Sequence, residues 1–301
     1  MKFNIKIVAP ASRAGEDLDT FLEQLNRYGV QEKFEFFISK DIFNNPELPF
    51  FSASEEIRIA DMIDAITSTK YDIIWPVRGG YGAAEIARKL LKLNITTTKP
   101  KILIGFSDIT ALHILFNQHY NIPTIHGPMV EICLKNDISF SVFCPILSGE
   151  KVRYKLYKIN GAEVKTDESK INGGNLTVLQ SLIGTDLQPK FQGKILLLED
   201  VNEAPYRVHR MLEHIKEAGI LNGVFAIIFA DFVHQDKDLM QKTIFHFANN
   251  QVGDIPCFIV ENIGHGSENN PIAFETHALI GLDSQGAHYN LDVWLDFSSS
   301  I

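Results

Sequence analysis

The sequence has few cysteines and no long apolar run, and each absence excludes a class of protein. Its three cysteines, Cys133, Cys144 and Cys257, are odd in number and widely spaced, unlike those of a disulfide framework or a metal-binding pair. We interpret them as reduced core residues. No apolar run approaches the ~20 residues of a membrane-spanning helix, and the N-terminal apolar stretch is too short for a signal peptide. A cytoplasmic protein without membrane attachment is therefore expected.

Positive charge is also scarce. The chain carries 28 lysines and arginines against 37 aspartates and glutamates, which gives a formal net charge of −9. This balance disfavours a nucleic-acid groove or an anionic membrane surface as a binding partner, so small molecules or peptides are the expected ligands. With 301 residues and 45% apolar content, the chain is long enough for two globular domains.

Residues 1–147 alternate between apolar runs of strand length and segments with helical spacing. Such alternation predicts an α/β domain, in which helices cover both faces of a parallel sheet. Ligands of these sheets bind at the carboxyl ends of the strands. The predicted strands lie near residues 2–10, 33–39, 71–77 and 101–106, and the predicted helices near 17–29, 54–68, 82–93 and 107–120.

The composition changes after residue 147. Residues 148–170 carry repeated charge without a helical period, and we predict a linker there. Residues 171–301 form the predicted second domain, which is smaller and β-rich. A helix in it is expected to begin at Pro205 and end at Gly219, because proline suits the first helical position and glycine suits a C-terminal cap. The predicted strands of this domain lie near residues 194–200, 223–232 and 256–264.

The segment KILIGFSDITALH contains a candidate nucleophile. An apolar run of strand length breaks at Gly105, and helical spacing resumes within three residues. Unpaired N–H groups and the helix dipole at such a helix start favour a developing negative charge. Ser107 is therefore a candidate nucleophile on a strand-to-helix turn. The alternative is an ordinary helix N-cap, for which serine is a preferred residue.

A glycine-rich loop, VRGGYGAAEI, follows the third predicted strand. Glycines permit close backbone approach and positive φ, so the N–H groups of this loop could face an anion. The loop lacks the G-x-G-x-x-G spacing of a dinucleotide-binding turn. A cradle for an oxyanion or carboxylate and a plain turn both remain open.

Glu199 directly follows the apolar run Leu196–Leu198. This placement predicts a half-buried carboxylate at the rim of the sheet, and such a carboxylate needs a hydrogen-bonded partner. The neighbouring Asp200 and Glu203 are expected to be solvated, as charges near the N-terminus of the following helix.

His265 stands between two glycines. A histidine in this setting is free of local packing and could be positioned by the fold, although a loop histidine without a role is the commoner case. The pairs His113/His119 and His209/His214 are six and five residues apart, so neither has the i, i+4 spacing of a helical zinc site. We expect no metal and no organic cofactor.

Six blocks of the sequence, in order, resemble the LD-carboxypeptidase family: RGGYGA, GFSDITA, HGPM, GGNLTVLQSLIGT, LLEDVNEAPYRVHRML and GHG. Members of this family release the terminal D-alanine from murein tetrapeptides, and one branch contains the microcin C immunity peptidases. The resemblance implies an α/β domain followed by a smaller β-rich domain, often in a homodimer. It also implies a hydrolase of cell-wall peptides that acts in peptidoglycan recycling.

The resemblance assigns a role to each candidate. It places the nucleophile of the family on Ser107, the triad glutamate on Glu199 and the triad histidine on His265. A serine, a carboxylate and an imidazole are the groups that base-activated nucleophilic attack requires. In this scheme the histidine takes the serine proton, and the glutamate orients the imidazole.

Further residues follow from the same resemblance. The oxyanion donors of the family imply the backbone amides of Asp108 and Gly80, with Gly79 as a further candidate. A carboxypeptidase must also bind a terminal carboxylate, and a cation is the natural partner. Arg78, at the mouth of the glycine loop, is our candidate, and a salt bridge between domains is the alternative.

The sequence departs from the family pattern after its GHGSENNP segment. The family usually has Pro-x-Gly ahead of the next apolar strand, whereas this chain has Ala273-Phe274-Glu275. The departure leaves the three triad positions unchanged and puts the shape of the loop beside His265 in question.

Two other functions remain open. A microcin-type immunity peptidase would cleave an aminoacyl-nucleotide amide and would need an aromatic side chain to stack on the base. The only tryptophans, Trp75 and Trp294, lie at a strand and near the C-terminus, which favours a murein tetrapeptide or a related small peptide. A non-catalytic α/β protein that binds a small anion is the second alternative, although competent residues fill all three triad positions.

Overall fold

The computed structural model describes residues 3–32, 34–43, 47–97 and 99–295. The chain divides into two compact units, the first ending at Cys144 and the second beginning at Pro145. Within the described residues, no helix combines the length and the apolar character that crossing a membrane would require.

The first unit contains a parallel sheet. Its strands are β1 (Asn4–Val8), β2 (Glu35–Ile38), β3 (Ile73–Pro76), β4 (Ile102–Gly105) and β5 (Thr124–His126). Its helices are α1 (Leu18–Glu32), α2 (Glu55–Thr67), α3 (Ala83–Lys92), α4 (Thr110–His119) and α5 (Val130–Asn136), and the short α6 (Cys144–Leu147) follows. These five strands lie in the order β5-β4-β3-β1-β2, and each neighbouring pair is parallel.

The sheet brings three strand ends together. Strand β3 is buried along its whole length, as expected for a strand covered by helices on both faces. The side chain of Trp75 is completely buried, and its indole N–H donates to Pro128 O at 3.0 Å. Because β3, β4 and β5 are adjacent and parallel, their carboxyl ends at Pro76, Gly105 and His126 lie at one edge of the sheet.

The second unit contains a closed seven-stranded barrel. Its strands are β6 (Val152–Lys158), β7 (Ser169–Asn175), β8 (Lys194–Val201), β9 (Ala226–Val233), β10 (Cys257–Ile259), β12 (Thr276–Leu282) and β13 (Tyr289–Trp294), with β11 (Ile272–Phe274) between β10 and β12 in the chain. The helices are α7 (Leu176–Ser181), α8 (Pro205–Glu217) and α9 (Lys237–Asn250). The barrel order is β10-β6-β13-β12-β7-β8-β9, and β8 pairs in parallel with both β7 and β9.

The predicted fold class is confirmed: a parallel α/β unit precedes a β-rich one. The helix expected from Pro205 to Gly219 is α8, which ends at Glu217 and is followed by Gly219 in a left-handed conformation. Strand β6 lies inside residues 148–170, for which the charge pattern predicts a linker. Its sequence VRYKLYK buries only alternate residues, so the charges belong to the exposed face of a strand. The second unit is about as long as the first.

Candidate active site

Ser107 lies on a tight turn between β4 and α4. A single 3-10 turn, Ser107–Ile109, joins the strand to the helix. The φ angle of Ser107 is 61°, in the left-handed region that residues other than glycine seldom adopt. An N-cap has extended backbone, so Ser107 does not have the geometry of the ordinary cap that the sequence left open. A left-handed serine costs roughly 1–3 kcal/mol and persists only where its surroundings hold it.

Gly105 makes this turn sterically possible. A Cβ at Gly105 would lie 2.8 Å from Ile109 Cγ2, closer than carbon atoms approach. The absence of a side chain therefore lets the first turn after the strand fold back on the strand end.

The glycine loop lies against Ser107. A Cβ at Gly79 would be 3.3 Å from Ser107 Oγ and 3.4 Å from Asp108 N. Gly80 has a φ of 97°, and a Cβ there would lie 2.3 Å from Ser12 Oγ. The structure thus brings Ser107, the Asp108 amide and the glycine loop together, the arrangement that an oxyanion site requires.

The carboxylate of Asp108 connects the turn to the glycine loop. This side chain is only 6% exposed, and its Oδ2 accepts a hydrogen bond from Ala83 N at 2.8 Å. Burial raises the pKa of Asp108 to about 6, although the Ala83 hydrogen bond and the charge of Arg58 oppose the shift. The resemblance to the family implied a role only for the backbone amide of Asp108. The role of the carboxylate depends on its contact with Ala83 in the glycine loop.

Arg78 pairs with Glu131 inside the first unit. Arg78 Nε lies 3.4 Å from Glu131 Oε2, and the arginine side chain is 41% exposed. The other oxygen of Glu131 accepts from Gly15 N at 2.8 Å and from Lys135 Nζ at 2.7 Å. The ion pair that the structure describes for Arg78 is therefore a local one, with α5.

Glu199 and His265 form a pair in the second unit. His265 Nδ1 lies 2.6 Å from Glu199 Oε2, and Glu199 is completely buried. The expectation of a half-buried carboxylate was wrong, because β7 and β9 flank Glu199 on both sides. A carboxylate only accepts hydrogen bonds, so His265 Nδ1 carries the proton and Nε2 is the basic nitrogen of the neutral ring. This is the tautomer that a general-base histidine needs.

The glycine before His265 is required by close packing. Gly264 has a φ of 112°, and a Cβ there would lie 2.8 Å from Glu199 Oε2. Its N–H donates to Asn269 Oδ1 at 3.1 Å. The side chain of His265 is 17% exposed and hydrogen-bonded to the distant Glu199, so the fold positions this histidine, one of the two possibilities that the sequence left open. The glycine lets the loop approach the buried glutamate.

Asp231, which was not among the residues expected from the sequence, holds the loop that carries His265. Its Oδ1 accepts from Asn262 N at 3.2 Å, and its own N–H donates to Ile263 O at 3.1 Å. A Cβ at Gly266 would lie 2.3 Å from Asp231 Oδ2. Burial raises the pKa of Asp231, against the hydrogen bonds from the loop amides. In the sequence Asp231 follows an apolar run, as Glu199 does, and that placement was the available signal.

Asp200 is buried rather than solvated, which corrects the sequence-based expectation. It is 3% exposed, and its Oδ2 accepts from Thr177 N at 2.9 Å and from Thr177 Oγ1 at 2.8 Å. The carboxylate therefore fixes the start of α7. Glu203 lies 3.6 Å from Arg207 Nη1 on the first turn of α8, in agreement with its predicted place near a helix N-terminus.

The family departure at Glu275 places a buried carboxylate in a cluster with two lysines. Glu275 has a φ of 57°, a backbone conformation that glycine adopts without strain. Its carboxylate accepts from Lys194 Nζ at 2.6 Å, from Lys170 Nζ at 3.1 Å and from Asn172 Nδ2 at 3.0 Å. Burial would raise the pKa of Glu275, but the two lysines outweigh it and the pKa is lowered. Ionic contacts here offset the strain of a non-glycine residue.

The described residues divide the candidates between the units. Ser107, Asp108, Arg78 and the glycine loop belong to the first unit, and the Glu199–His265 pair belongs to the second. No group of three or more His, Cys, Asp or Glu side chains within those residues is arranged to hold a metal ion.

Comparison with known sequences identifies the family. The LD-carboxypeptidase N-terminal domain matches residues 5–127, and the LD-carboxypeptidase C-terminal domain matches residues 168–280. The chain belongs to the LD-carboxypeptidase family. A Rickettsia conorii protein named "putative carboxypeptidase" is 38% identical over 92% of this chain and 87% of its own length. A Bacillus subtilis protein named "probable murein peptide carboxypeptidase" is 30% identical over 80% of this chain and 77% of its own. Family and relatives indicate a serine-type carboxypeptidase.

Solved structures share the fold of this LD-carboxypeptidase family member. Muramoyltetrapeptide carboxypeptidase from Oxalobacter formigenes superposes with a TM-score of 0.76 at 23% identity, covering 97% of this chain and 98% of that one. An MccF-like protein from Bacillus anthracis gives a TM-score of 0.79 at 16% identity, covering 98% and 97%. At these identities the likeness concerns the architecture alone.

Proposed function

We propose that the chain is a serine LD-carboxypeptidase that releases the terminal D-alanine from murein tetrapeptides, in the cytoplasm and as part of peptidoglycan recycling. The observation that carries the proposal is Ser107, held in a left-handed conformation against Gly79 and the Asp108 amide. The substrate is inferred from the relatives. One of them, the murein tetrapeptide carboxypeptidase of Pseudomonas aeruginosa, is 27% identical over 88% of this chain.

The proposed reaction is acyl transfer to water through a Ser107–His265–Glu199 triad. His265 Nε2 takes the Ser107 proton while Oγ forms a bond to the carbonyl carbon before the terminal D-alanine. The same imidazole then protonates the departing nitrogen, the C–N bond breaks, and D-alanine leaves. Water, deprotonated by His265, attacks the acyl-enzyme and restores the serine. The buried Glu199, 2.6 Å from Nδ1, stabilises the imidazolium that forms in each half-reaction.

Backbone amides stabilise the tetrahedral intermediate in this scheme. The amides of Asp108, Gly80 and Gly79 are the proposed donors to the oxyanion. Loss of one such donor typically costs ~10²–10³-fold in turnover. Arg78 is the proposed partner of the substrate's terminal carboxylate, and its ion pair with Glu131 limits the freedom of the guanidinium before substrate binds.

The decisive experiment is removal of the proposed nucleophile. We expect Ser107→Ala to lower D-alanine release from a murein tetrapeptide by about 10³-fold or more, because the acyl-enzyme can no longer form. Ser139→Ala, which changes the serine that precedes the 3-10 turn Phe140–Phe143, controls for nonspecific effects. Unchanged release by a folded Ser107→Ala protein would refute the nucleophile assignment.

A microcin-type activity deserves a parallel assay because of one exposed aromatic cluster. Trp75 is buried, as its place in a strand suggested, but Tyr81 lies within the glycine loop, between Gly80 and Gly82, and is 62% exposed. Its ring stacks on Phe51, with centroids 5.8 Å apart. An aromatic surface is thus available beside the loop, and the scarcity of tryptophan alone does not exclude base stacking. Faster cleavage of an aminoacyl-nucleotide amide than of the murein peptide would favour that function.

Two further outcomes test the rest of the proposal. Intact tetrapeptide after long incubation with the pure protein would favour the non-catalytic binding alternative. We also propose a homodimer, and light scattering in solution should then give twice the 33.9 kDa mass of the chain.

A further inference from the structure

His113 is a buried, titratable side chain that the proposed reaction does not use. It lies on α4 and is completely buried. Its Nε2 is 2.8 Å from Gly105 O, the carbonyl at the end of β4. Because a carbonyl only accepts hydrogen bonds, Nε2 is the protonated nitrogen of His113.

The same carbonyl has a second donor. Gly127 N donates to Gly105 O at 3.0 Å, so a residue just after β5 and a residue of α4 hold one oxygen. Gly105 and Gly127 belong to the sequence blocks GFSDITA and HGPM. The two hydrogen bonds fix the orientation of the Gly105–Phe106 peptide, two residues before the hydroxyl of Ser107.

This peptide precedes the strained part of the turn. Phe106 is extended, with a φ of −154°, and Ser107 then switches to +61°. A left-handed residue other than glycine reverts unless the surrounding structure over-determines it. Anchoring the peptide just before the switch is one way to prevent that reversion.

The donor is present throughout the neutral range. Burial, together with the nearby His126, whose ring centroid is 6.3 Å away, lowers the pKa of His113 to about 3, although the hydrogen bond to Gly105 O opposes the shift. The ring is therefore neutral, and its hydrogen bond to Gly105 O determines which nitrogen is protonated.

A comparable hydrogen bond on the same helix shows what a purely structural role looks like. Asn117 is also buried on α4, and its Nδ2 donates to Ile122 O at 2.8 Å. That carbonyl lies after the far end of α4, beyond His119. Asn117 also contacts Thr124 Oγ1 of β5 at 3.3 Å. None of these hydrogen bonds reaches the Ser107 turn, so Asn117 provides a control for His113.

We propose that His113 is a positioning residue: its Nε2–H, together with the Gly127 amide, anchors Gly105 O and so holds Ser107 in its reactive backbone conformation. The inference rests on the proposed function in one respect, since it takes Ser107 as the nucleophile.

The test uses two side chains that differ in where they carry an amide. In His113→Gln the amide nitrogen can reach the place of Nε2, whereas in His113→Asn it corresponds to Nδ1. Reactivity is read as the rate at which a fluorophosphonate probe labels Ser107, together with kcat and KM for D-alanine release and the melting temperature. We expect His113→Asn to slow labelling and lower kcat by about tenfold with KM changed less than twofold. We expect His113→Gln to stay within about threefold of the wild type.

Several results would overturn the inference. They are equal labelling of the Asn and Gln variants, a rate loss no larger than that of an Asn117→Leu protein with the same melting temperature, or a wild-type protein that the probe does not label at Ser107. If His113→Asn does not fold, His113→Phe, which keeps the ring without the donor, takes its place in the comparison. Labelling does not depend on the peptide substrate. A wild type that is labelled but releases no D-alanine therefore rejects the substrate proposal and leaves the role of His113 to be decided by the rates.

Discussion

The turn that carries Ser107 and the loop that carries His265 each hold one side chain in a fixed position, but they differ in which residue adopts the left-handed backbone. Each follows an apolar strand, and each is held by an aspartate that accepts a backbone amide: the buried Asp108 in the first unit and the half-buried Asp231 in the second. In the first turn the reactive residue itself adopts the left-handed conformation, whereas in the second the adjacent Gly264 does. Backbone strain therefore falls on the proposed nucleophile itself, whereas the proposed base is oriented through the hydrogen bond of its ring to Glu199.

The largest expected effect in this comparison follows from adding a methyl group at Gly264. Gly264→Ala places a Cβ 2.8 Å from Glu199 Oε2 at a φ of 112°, so the loop must move away from the buried carboxylate. Because the His265–Glu199 hydrogen bond depends on that approach, we expect kcat for D-alanine release to fall by about 10²-fold. We also expect a loss of roughly 2–4 kcal/mol in the free energy of unfolding.

The control for this prediction is Gly253→Ala. Gly253 also has a positive φ, 62°, but a Cβ there meets no atom within 4 Å. The control should therefore lose some stability and keep its activity. Full activity in Gly264→Ala would show that the close packing of this glycine does not position His265.

The sequence predicted the secondary structure around these two loops better than the contacts that hold them. The apolar runs predicted α8 and the parallel sheet because their signals are local: a period, a proline and a glycine. The burial of Asp200, the role of Asp231 and the ion cluster of Glu275 were missed because they depend on residues far away in the chain. Thr177, Asn262 and Lys170 supply those contacts. The sequence shows the carboxylates, but it does not show which distant residues they contact.

The conformation of Ser107 was beyond prediction for a similar reason. A serine before a helix usually indicates a cap, and nothing local distinguishes a serine forced to a φ of +61°. The constraint comes from His113, from Gly127 and from the contact between Asp108 and Ala83. Only the glycine at position 105, which a strand does not require, hinted at close packing.

The second prediction concerns the aspartate of the first turn and the pH dependence of stability. Burial raises the pKa of Asp108 to about 6 in the folded protein, against an ordinary value near 3.8. The folded state therefore holds this proton more tightly than the unfolded state. The contribution to stability is full below about pH 4 and is lost as the pH rises towards 6, and it amounts to about 3 kcal/mol.

Asp108→Asn removes this titration and keeps an oxygen that accepts from Ala83 N. Urea unfolding at several pH values between 4 and 7 should show that the wild type loses stability relative to the variant as the pH rises. The difference between the two proteins isolates Asp108 from the other carboxylates. Parallel pH profiles for both proteins would show that this carboxylate does not titrate in the predicted window.

The smallest expected effect on stability is a gain rather than a loss, and it comes from relieving the backbone strain at Ser107. Ser107→Gly should abolish D-alanine release because it removes the proposed nucleophile. At the same time it should raise the free energy of unfolding by about 0.5–1 kcal/mol. Relief of the left-handed cost, about 1–2 kcal/mol for an ordinary residue, exceeds the entropic cost of a glycine, about 0.5–1 kcal/mol. Ser107→Ala keeps the strain and loses the hydroxyl, so it separates the two contributions. Chemical denaturation of both variants measures the difference, and a glycine variant less stable than the alanine variant would mean that the turn stores no strain at Ser107.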